Sequence, residues 1–228
     1  MAEIAVALDL RDSAAALGMV DALGADATWY KVGPVLLVSD GPAIVKELVA
    51  RGKRVFLDLK WHDIPNTVAG AVAAAGAIGA AVATVHLAGG ARMLAAAVEA
   101  RRGGLRLVGV GVLTSLGGPE YADVVGRSVT DLAAEQRRLV EHGLGAGLDG
   151  FVTAASEAPT VRGLAGPGAL LVVPGIRRAA DAPDDQRRVT TPGEAVRAGA
   201  DLLVVGRPIT GAPDPRAALR AIREEMDR

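Results

Sequence analysis

The chain has 228 residues, half of them hydrophobic, and a formal net charge of -1. This near-neutral charge argues against binding to nucleic acid or to an anionic membrane surface. Cysteine is absent, which excludes disulfides, thiolate metal sites and a cysteine nucleophile. The first residues, MAEIAVALDL, lack the basic start and long apolar run of a signal peptide, and no strongly apolar stretch is long enough to span a membrane. We therefore expect a cytoplasmic protein.

Short runs rich in β-branched and aliphatic residues alternate with helical patterns along the chain. The predicted strands are 3–9, 28–33, 53–60, 81–86, 105–114, 149–153, 169–174 and 200–206. The predicted helices are 13–23, 42–51, 66–79, 91–101, 128–142, 156–164, 192–199 and 215–226. Start signals support the last two helices, because Thr191-Pro192 precedes Glu194 in a capping-box pattern and Asp214 precedes a first-turn proline.

Eight strand–helix alternations without a linker predict an α/β fold, a (β/α)8 TIM barrel formed as a single domain by residues 1–228. A doubly wound parallel sheet of similar length is the main alternative. The longest irregular stretches, 114–127 and 175–190, follow the fifth and seventh strands. In a barrel both lie at the C-terminal face, where active sites are built.

Charged residues fall at the ends of the first three predicted strands. Asp9 ends the first, Lys31 nearly ends the second, and Asp58 and Lys60 end the third. Strand alternation places residues 58 and 60 on one face, with Phe56 behind them. Surface ion pairs would explain any one of these charges. Four charges of alternating sign at consecutive strand ends favour a functional array at the mouth of the barrel.

A second group of polar residues follows the seventh and eighth strands, in VPGIRR and VVGRPI. Barrels often bind phosphate on these two loops, through glycine amides and a cation. Gly206 offers a backbone amide and Arg207 a bidentate partner. Arg177 and Gln186 are candidates for a lid that closes over the phosphate. The alternative for the DDQRRV stretch around Gln186 is a solvated charge run.

The three histidines, His62, His86 and His142, lack metal-ligand spacing, so no metal site is predicted. His86 either orients a neighbouring charge or makes a structural hydrogen bond. Without a thiol, a metal cage or a nucleotide-binding glycine motif, the chemistry falls to lysine and carboxylate. A lysine kept charged by nearby carboxylates is a poor Schiff-base nucleophile but a good proton donor. These residues predict an acid/base or carbanion-forming enzyme that acts on a phosphorylated small molecule.

The segment FLDLKWHDIPNTV, residues 56–68, resembles the DxKxxD signature of the orotidine 5'-monophosphate decarboxylase family in its bacterial form. The motifs VALD, YKVG, GVLTS, PGIR, DDQRRVTTP and DLLVVGRPI extend this resemblance, in order, over nearly the whole chain. Trp61 departs from the more usual phenylalanine and is not expected to affect the chemistry. The resemblance implies cofactor-free decarboxylation of orotidine 5'-monophosphate to uridine 5'-monophosphate, in de novo pyrimidine synthesis, by a homodimer.

The resemblance also implies roles for the charged array. Lys60 would protonate C6 once the carboxylate has left, and Asp58 would lie beside the departing carboxylate. In this family Lys31, Asp58, Lys60 and Asp63 form an alternating charge array. Asp63, together with Thr67, would reach across the dimer interface into the partner's site. The remaining substrate-binding positions that the resemblance implies are Asp9 and Lys31 at the ribose, Ile64, Thr114 or its neighbour Ser115 at the pyrimidine, and Arg177, Gln186, Gly206 and Arg207 at the phosphate.

Two alternatives remain. Sugar-phosphate enzymes of the same suprafamily, such as 3-keto-L-gulonate 6-phosphate decarboxylase and hexulose 6-phosphate synthase, share DxKxxD but use magnesium and an enediolate intermediate. The IPNT sequence and the PGIR…DQRR loop favour the orotidine branch. The second alternative is a non-catalytic nucleotide-binding barrel. All four positions of the family's charge array carry the expected residue types, which argues against an inactive site. They are Lys31, Asp58, Lys60 and Asp63.

Overall fold

The computed structural model describes residues 2–178 and 189–227. Eight parallel strands close into a barrel, in which each strand pairs with the next along the chain and the eighth pairs with the first. The strands are β1 Glu3–Ala7, β2 Trp29–Val32, β3 Arg54–Trp61, β4 Val82–His86, β5 Arg106–Val110, β6 Gly150–Val152, β7 Leu170–Val173 and β8 Leu202–Val205. The predicted barrel is confirmed, and the doubly wound sheet was the wrong alternative.

Helices connect the strands. The helices of the described residues are α1 Ser13–Leu23, α2 Pro34–Asp40, α3 Ala43–Ala50, α4 Pro65–Ala77, α5 Gly90–Glu99, α6 Gly118–Val125, α7 Leu132–Ala146, α8 Ala158–Ala165, α9 Pro192–Arg197, α10 Arg207–Thr210 and α11 Pro215–Met226. Short 3-10 helices occupy Gly24–Asp26 and Leu87–Gly89. None of the helices described here has the length and apolar character needed to cross a membrane.

The predicted helix starts at Thr191 and Asp214 are present. The Thr191 hydroxyl accepts a hydrogen bond from the Glu194 N–H, and the Glu194 carboxylate accepts one from the Thr191 N–H at 2.9 Å. The Asp214 carboxylate accepts the N–H of Ala217 at 2.9 Å. These contacts satisfy N–H groups that the first helical turn leaves without partners.

Several predicted boundaries were wrong; the helix predicted at 128–142, for example, is Leu132–Ala146. The strand predicted at 105–114 ends at Val110, and the stretch 114–127, predicted to be irregular, contains α6. The residues after Val110 look like a continuing strand because several of them are apolar. In the structure they are apolar because they line a cleft at the end of the barrel. The helices α2 and α10 were also not predicted.

The barrel has two apolar layers, one inside the strands and one between strands and helices, because successive strand residues point to opposite faces. The interior layer contains Ala5, Trp29, Phe56, Val82, Val108, Val172 and Leu202. The residue two positions after Trp29, Phe56 or Val82 therefore points to the same interior, nearer the C-terminal end of its strand. Those positions hold Lys31, Asp58 and Thr84.

Candidate active site

A connected array of charged side chains occupies the C-terminal mouth of the barrel. Lys31 Nζ lies 2.8 Å from Asp9 Oδ1 and 3.9 Å from Asp58 Oδ2. Lys60 Nζ donates to both oxygens of Asp58, at 2.9 and 3.0 Å. The structure thus brings together the four residues that the sequence placed at consecutive strand ends, with Asp58 between two lysines.

The members of this array differ in their exposure to solvent. The side chain of Lys31 is 9% exposed and that of Asp58 is 14% exposed, whereas those of Lys60 and Asp9 are 39% and 58% exposed. Burial of an ion is costly unless it is paired, and the pairing of Lys31 with two carboxylates offsets that cost. Lys60 is the array cation with more access to the cleft.

Gly33, the last residue of the YKVG motif, allows the Asp9–Lys31 pair to form. A Cβ atom at position 33 would lie 3.0 Å from Asp9 Oδ1 and 3.2 Å from Lys31 Nζ. Both distances are shorter than ordinary van der Waals contact, so a side chain here would push against the pair. The glycine is thus explained by the close approach of the backbone to two charged groups.

The backbone of β3 is irregular where it carries the array. β3 pairs with β4 at Leu57–Ala83 and next at Trp61–Val85, so three residues of β3 stand opposite one residue of β4. Within this bulge Lys60 has φ +49°, in the left-handed region that non-glycine residues rarely adopt. Such a conformation costs on the order of 1–3 kcal/mol and is concentrated at functional sites.

Thr84, the β4 residue opposite this bulge, was not predicted as a site residue. It is fully buried, and its hydroxyl accepts the N–H of Lys60 at 2.7 Å and donates to Asp58 Oδ1 at 3.2 Å. A threonine within an apolar strand was compatible with ordinary β-propensity, so the sequence contained no signal of this role. Its position two residues after Val82 became informative only once the structure showed that Val82 points into the barrel.

The array forms one wall of a cleft of about 650 Å³ at the C-terminal face. The predicted site residues that line this cleft are Asp9, Lys31, Asp58, Lys60, Thr114, Ser115, Arg177, Gly206 and Arg207. Apolar residues, among them Phe56, Val110 and Val152, line the barrel side. Gln186, the remaining predicted phosphate ligand, lies outside the described residues. The cleft thus joins acid/base groups to two arginines across an apolar surface.

The loop after β5, which carries Thr114, is held in place by Gln136 of α7. Gln136 is buried, and its Oε1 accepts the N–H of Val112 at 2.8 Å. A Cβ atom at Gly111 would lie 2.2 Å from Gln136 Oε1, so only glycine permits this approach. Sequence reasoning missed Gln136, because a polar residue in an amphipathic helix is usually solvated.

Comparison with known proteins identifies the family to which this site belongs. A sequence model of the "Orotidine 5'-phosphate decarboxylase / HUMPS family" matches residues 2–222. The chain belongs to this family of enzymes.

Individual relatives agree with this family assignment. The chain is similar to an orotidine 5'-phosphate decarboxylase of Anaeromyxobacter sp. (strain K), with 51% identity over 219 residues that cover 96% of both sequences. A relative of the same name from Nitratidesulfovibrio vulgaris (strain DP4) is 45% identical over 234 residues, with 99% of this chain and 98% of that protein covered. The crystal structure of orotidine 5'-phosphate decarboxylase from Lactobacillus acidophilus superposes with a TM-score of 0.87 at 32% identity, covering 100% of both chains.

The residues that the family resemblance assigned to the partner's site lie apart from this chain's own cleft. Asp63, Ile64 and Thr67 are exposed, and none of the three lines the cleft. Asp63 Oδ1 accepts the N–H of Ile64 at 2.6 Å, which fixes the carboxylate at the start of α4. The structure therefore does not bring Asp63 together with Asp58 and Lys60 within one chain.

The histidines His62 and His86 stack on each other, with ring centroids 5.0 Å apart and an interplanar angle of 11°. His86 Nδ1 accepts the N–H of Ala88 at 3.2 Å, which is the structural hydrogen bond considered for it. Burial, followed by the positive charges of His62 and Lys60, lowers the pKa of His86. His142 is exposed on α7. Among the described residues, no three His, Asp or Glu side chains form a cluster that would hold a metal ion.

Proposed function

We propose that the protein decarboxylates orotidine 5'-monophosphate to uridine 5'-monophosphate without a cofactor, as a step of pyrimidine nucleotide synthesis in the cytoplasm. The observation that carries the proposal is the Lys31–Asp58–Lys60 array, which lines the same cleft as Arg177 and Arg207. The names of the relatives support the same substrate and reaction.

The cleft suggests one orientation for the nucleotide. Its 5'-phosphate lies on the loops after β7 and β8, where Arg177, Gly206 and Arg207 line the wall. Gln186 joins them in this proposal. The ribose hydroxyls contact the Asp9–Lys31 pair, whose polar atoms are 2.8 Å apart. Phosphate and ribose contacts thus hold the base at a fixed position, which lowers the entropic part of the barrier.

The pyrimidine end of the nucleotide then lies between the array and the loop after β5. Thr114 is half-buried and Ser115 is exposed, and both line the cleft. We assign the contact to the base to Thr114, with Ser115 as its alternative. The apolar wall formed by Phe56 and Val110 covers the ring faces and excludes water from C6.

Lys60 is the group that supplies the proton. The C6–carboxylate bond breaks, carbon dioxide leaves, and the electron pair remains on C6, where it takes a proton from Lys60 Nζ. Two hydrogen bonds to Asp58 hold the ammonium in place before the reaction, so no reorganisation is needed as negative charge develops at C6. The partly exposed lysine then regains a proton from solvent.

Asp58 acts on the leaving group. Its side chain is 14% exposed and lies between two ammonium groups. In this proposal the substrate carboxylate lies beside Asp58. Two carboxylates at close range repel each other, and loss of carbon dioxide removes that repulsion. Lys31 balances the charge of Asp58 from the barrel side, 3.9 Å away.

The proposed active unit is a homodimer in which Asp63 and Thr67 complete the partner's site. Support comes from their exposure and from Ile64, a large apolar side chain that is 66% exposed between them. Ile64 would contact the partner's bound nucleotide. An exposed apolar residue flanked by polar groups at the mouth of the barrel is typical of an interface.

The test is a decarboxylation assay with purified protein, run with orotidine 5'-monophosphate and with sugar phosphates, each with and without EDTA. We expect carbon dioxide release from the orotidine substrate that EDTA does not reduce. EDTA-sensitive turnover of a sugar phosphate would instead place the protein in the magnesium-dependent branch. Tight binding of uridine 5'-monophosphate without any carbon dioxide release would identify a non-catalytic nucleotide-binding barrel.

A further inference from the structure

Thr84 connects the two residues to which the proposed reaction gives the central roles. Its side chain is fully buried, and a single hydroxyl group makes both contacts. As an acceptor it binds the backbone N–H of Lys60 at 2.7 Å, and as a donor it binds Asp58 Oδ1 at 3.2 Å. A hydroxyl has one hydrogen and two lone pairs, so the contact to Asp58 uses its only hydrogen and the contact to Lys60 uses a lone pair.

The position of Thr84 in the sheet matters as much as its contacts. It stands alone on β4 opposite three residues of β3, where the two strands lose their regular pairing. Lys60, the last of those three, has φ +49°. In a bulge of this kind the regular ladder does not fix the backbone, and a side-chain hydrogen bond to the displaced N–H takes over that task.

We infer that Thr84 is a positioning residue for the proposed decarboxylation: its hydroxyl holds the Lys60 backbone in the left-handed conformation and fixes the Asp58 carboxylate that orients Lys60 Nζ. Thr84 does not line the cleft, so it acts through these two residues. The inference rests on the proposed function, since it assigns the consequence of the contact to that reaction.

The contrast between threonine, serine and valine isolates the hydroxyl group. Thr84→Val keeps the shape and removes both hydrogen bonds, whereas Thr84→Ser keeps the hydroxyl and removes a methyl group. A matched control is Thr153→Val, because Thr153 is also buried and its hydroxyl bonds Ala154 O and Glu157, away from the array. The measurements are kcat and KM for orotidine 5'-monophosphate, the Kd of uridine 5'-monophosphate, and the melting temperature.

We expect Thr84→Val to lower kcat by about 10- to 100-fold, because a hydrogen-bonded charged group is displaced from the reacting atom. KM and the product Kd should change by less than about threefold, since the phosphate and ribose contacts remain. Thr84→Ser should retain kcat within about threefold of the wild type, and Thr153→Val should do the same.

Several results would overturn the inference. One is a Thr84→Val protein whose kcat stays within about threefold of the wild type. Another is a Thr84→Val protein that does not fold, or that loses nucleotide binding together with activity. Thr84 would then be a structural residue only. Failure of the proposed function is separate, as the wild type would then release no carbon dioxide. In that case the test is a comparison of the crystal structures of the wild type and of Thr84→Val. If the φ angle of Lys60 and the contacts between Lys60 and Asp58 are the same in both, the inference is contradicted.

Discussion

Asp58→Asn tests whether the charge at the centre of the array drives the reaction. Asparagine keeps the shape of the side chain but removes the negative charge that separates Lys31 and Lys60. Lys60 Nζ lies 2.9 and 3.0 Å from the two Asp58 oxygens, so the substitution removes a bidentate charge-assisted contact. It also leaves Lys31 with Asp9 as its remaining carboxylate partner among the described residues.

The magnitude of the effect follows from burial. Lys60 is 39% exposed and keeps much of its hydration, so folding stability should fall by only about 1–2 kcal/mol. The effect on the reaction should be larger, because preorganised electrostatic contacts to a transition state contribute about 3–4 kcal/mol each. We therefore expect kcat to fall by at least about 100-fold. KM should fall as well, because asparagine does not repel the substrate carboxylate.

The assay measures kcat and KM for orotidine 5'-monophosphate, with urea unfolding on the same proteins. A matched control is Asp149→Asn, because Asp149 also pairs with a cation, Arg101 at 2.6 Å, and accepts the N–H of Leu107 at 2.7 Å, outside the cleft. The control should lose stability with kcat unchanged. An Asp58→Asn enzyme with kcat within about threefold of the wild type would contradict the role proposed for Asp58.

Three further predictions concern the fold and the assembly. Burial raises the pKa of Tyr30 from 10.0 to about 12, so the stability that neutral Tyr30 gives below pH 10 is lost as pH rises toward 12. Tyr30→Phe should reduce the loss in urea stability between pH 9 and 11 by about 1 kcal/mol, and an equal loss in both proteins would contradict this. A Cβ atom at Gly150 would lie 2.0 Å from Leu170 O, so Gly150→Ala should destabilise the barrel by more than about 3 kcal/mol in urea unfolding; a smaller loss would mean the strands can separate locally. Inactive Asp63→Ala and Lys60→Ala proteins, mixed equally and allowed to exchange subunits, should regain about a quarter of wild-type activity, and no recovery despite proven exchange would count against a shared site.

The fold was largely predictable because each strand of the barrel is a short apolar run between amphipathic helices. The ends of elements were less predictable. Residues after Val110 are apolar because they line the cleft, which extended the predicted strand beyond its true end. The helix α6 was missed although Pro119 and Glu120 occupy its first turn, where such residues are favoured.

The candidate site was predictable where charge stands out against an apolar strand, as at Lys31 and Asp58. Supporting residues of ordinary type, such as Thr84 and Gln136, became visible only when the tertiary contacts were known. The bulge at Lys60 also had no sequence signal, because the residue is not glycine. The organisation of residues 1–228 as a single domain and the dimeric role of Asp63 stay predictions.

Lys60→Ala removes the side chain that is proposed to protonate C6. The measurement is carbon dioxide release from orotidine 5'-monophosphate, together with circular dichroism and the Kd of uridine 5'-monophosphate. We predict that turnover falls by at least about 1,000-fold, because the proposed proton donor and one of the two lysines of the array are lost together, while the fold and nucleotide binding are kept. Turnover close to that of the wild type would contradict it.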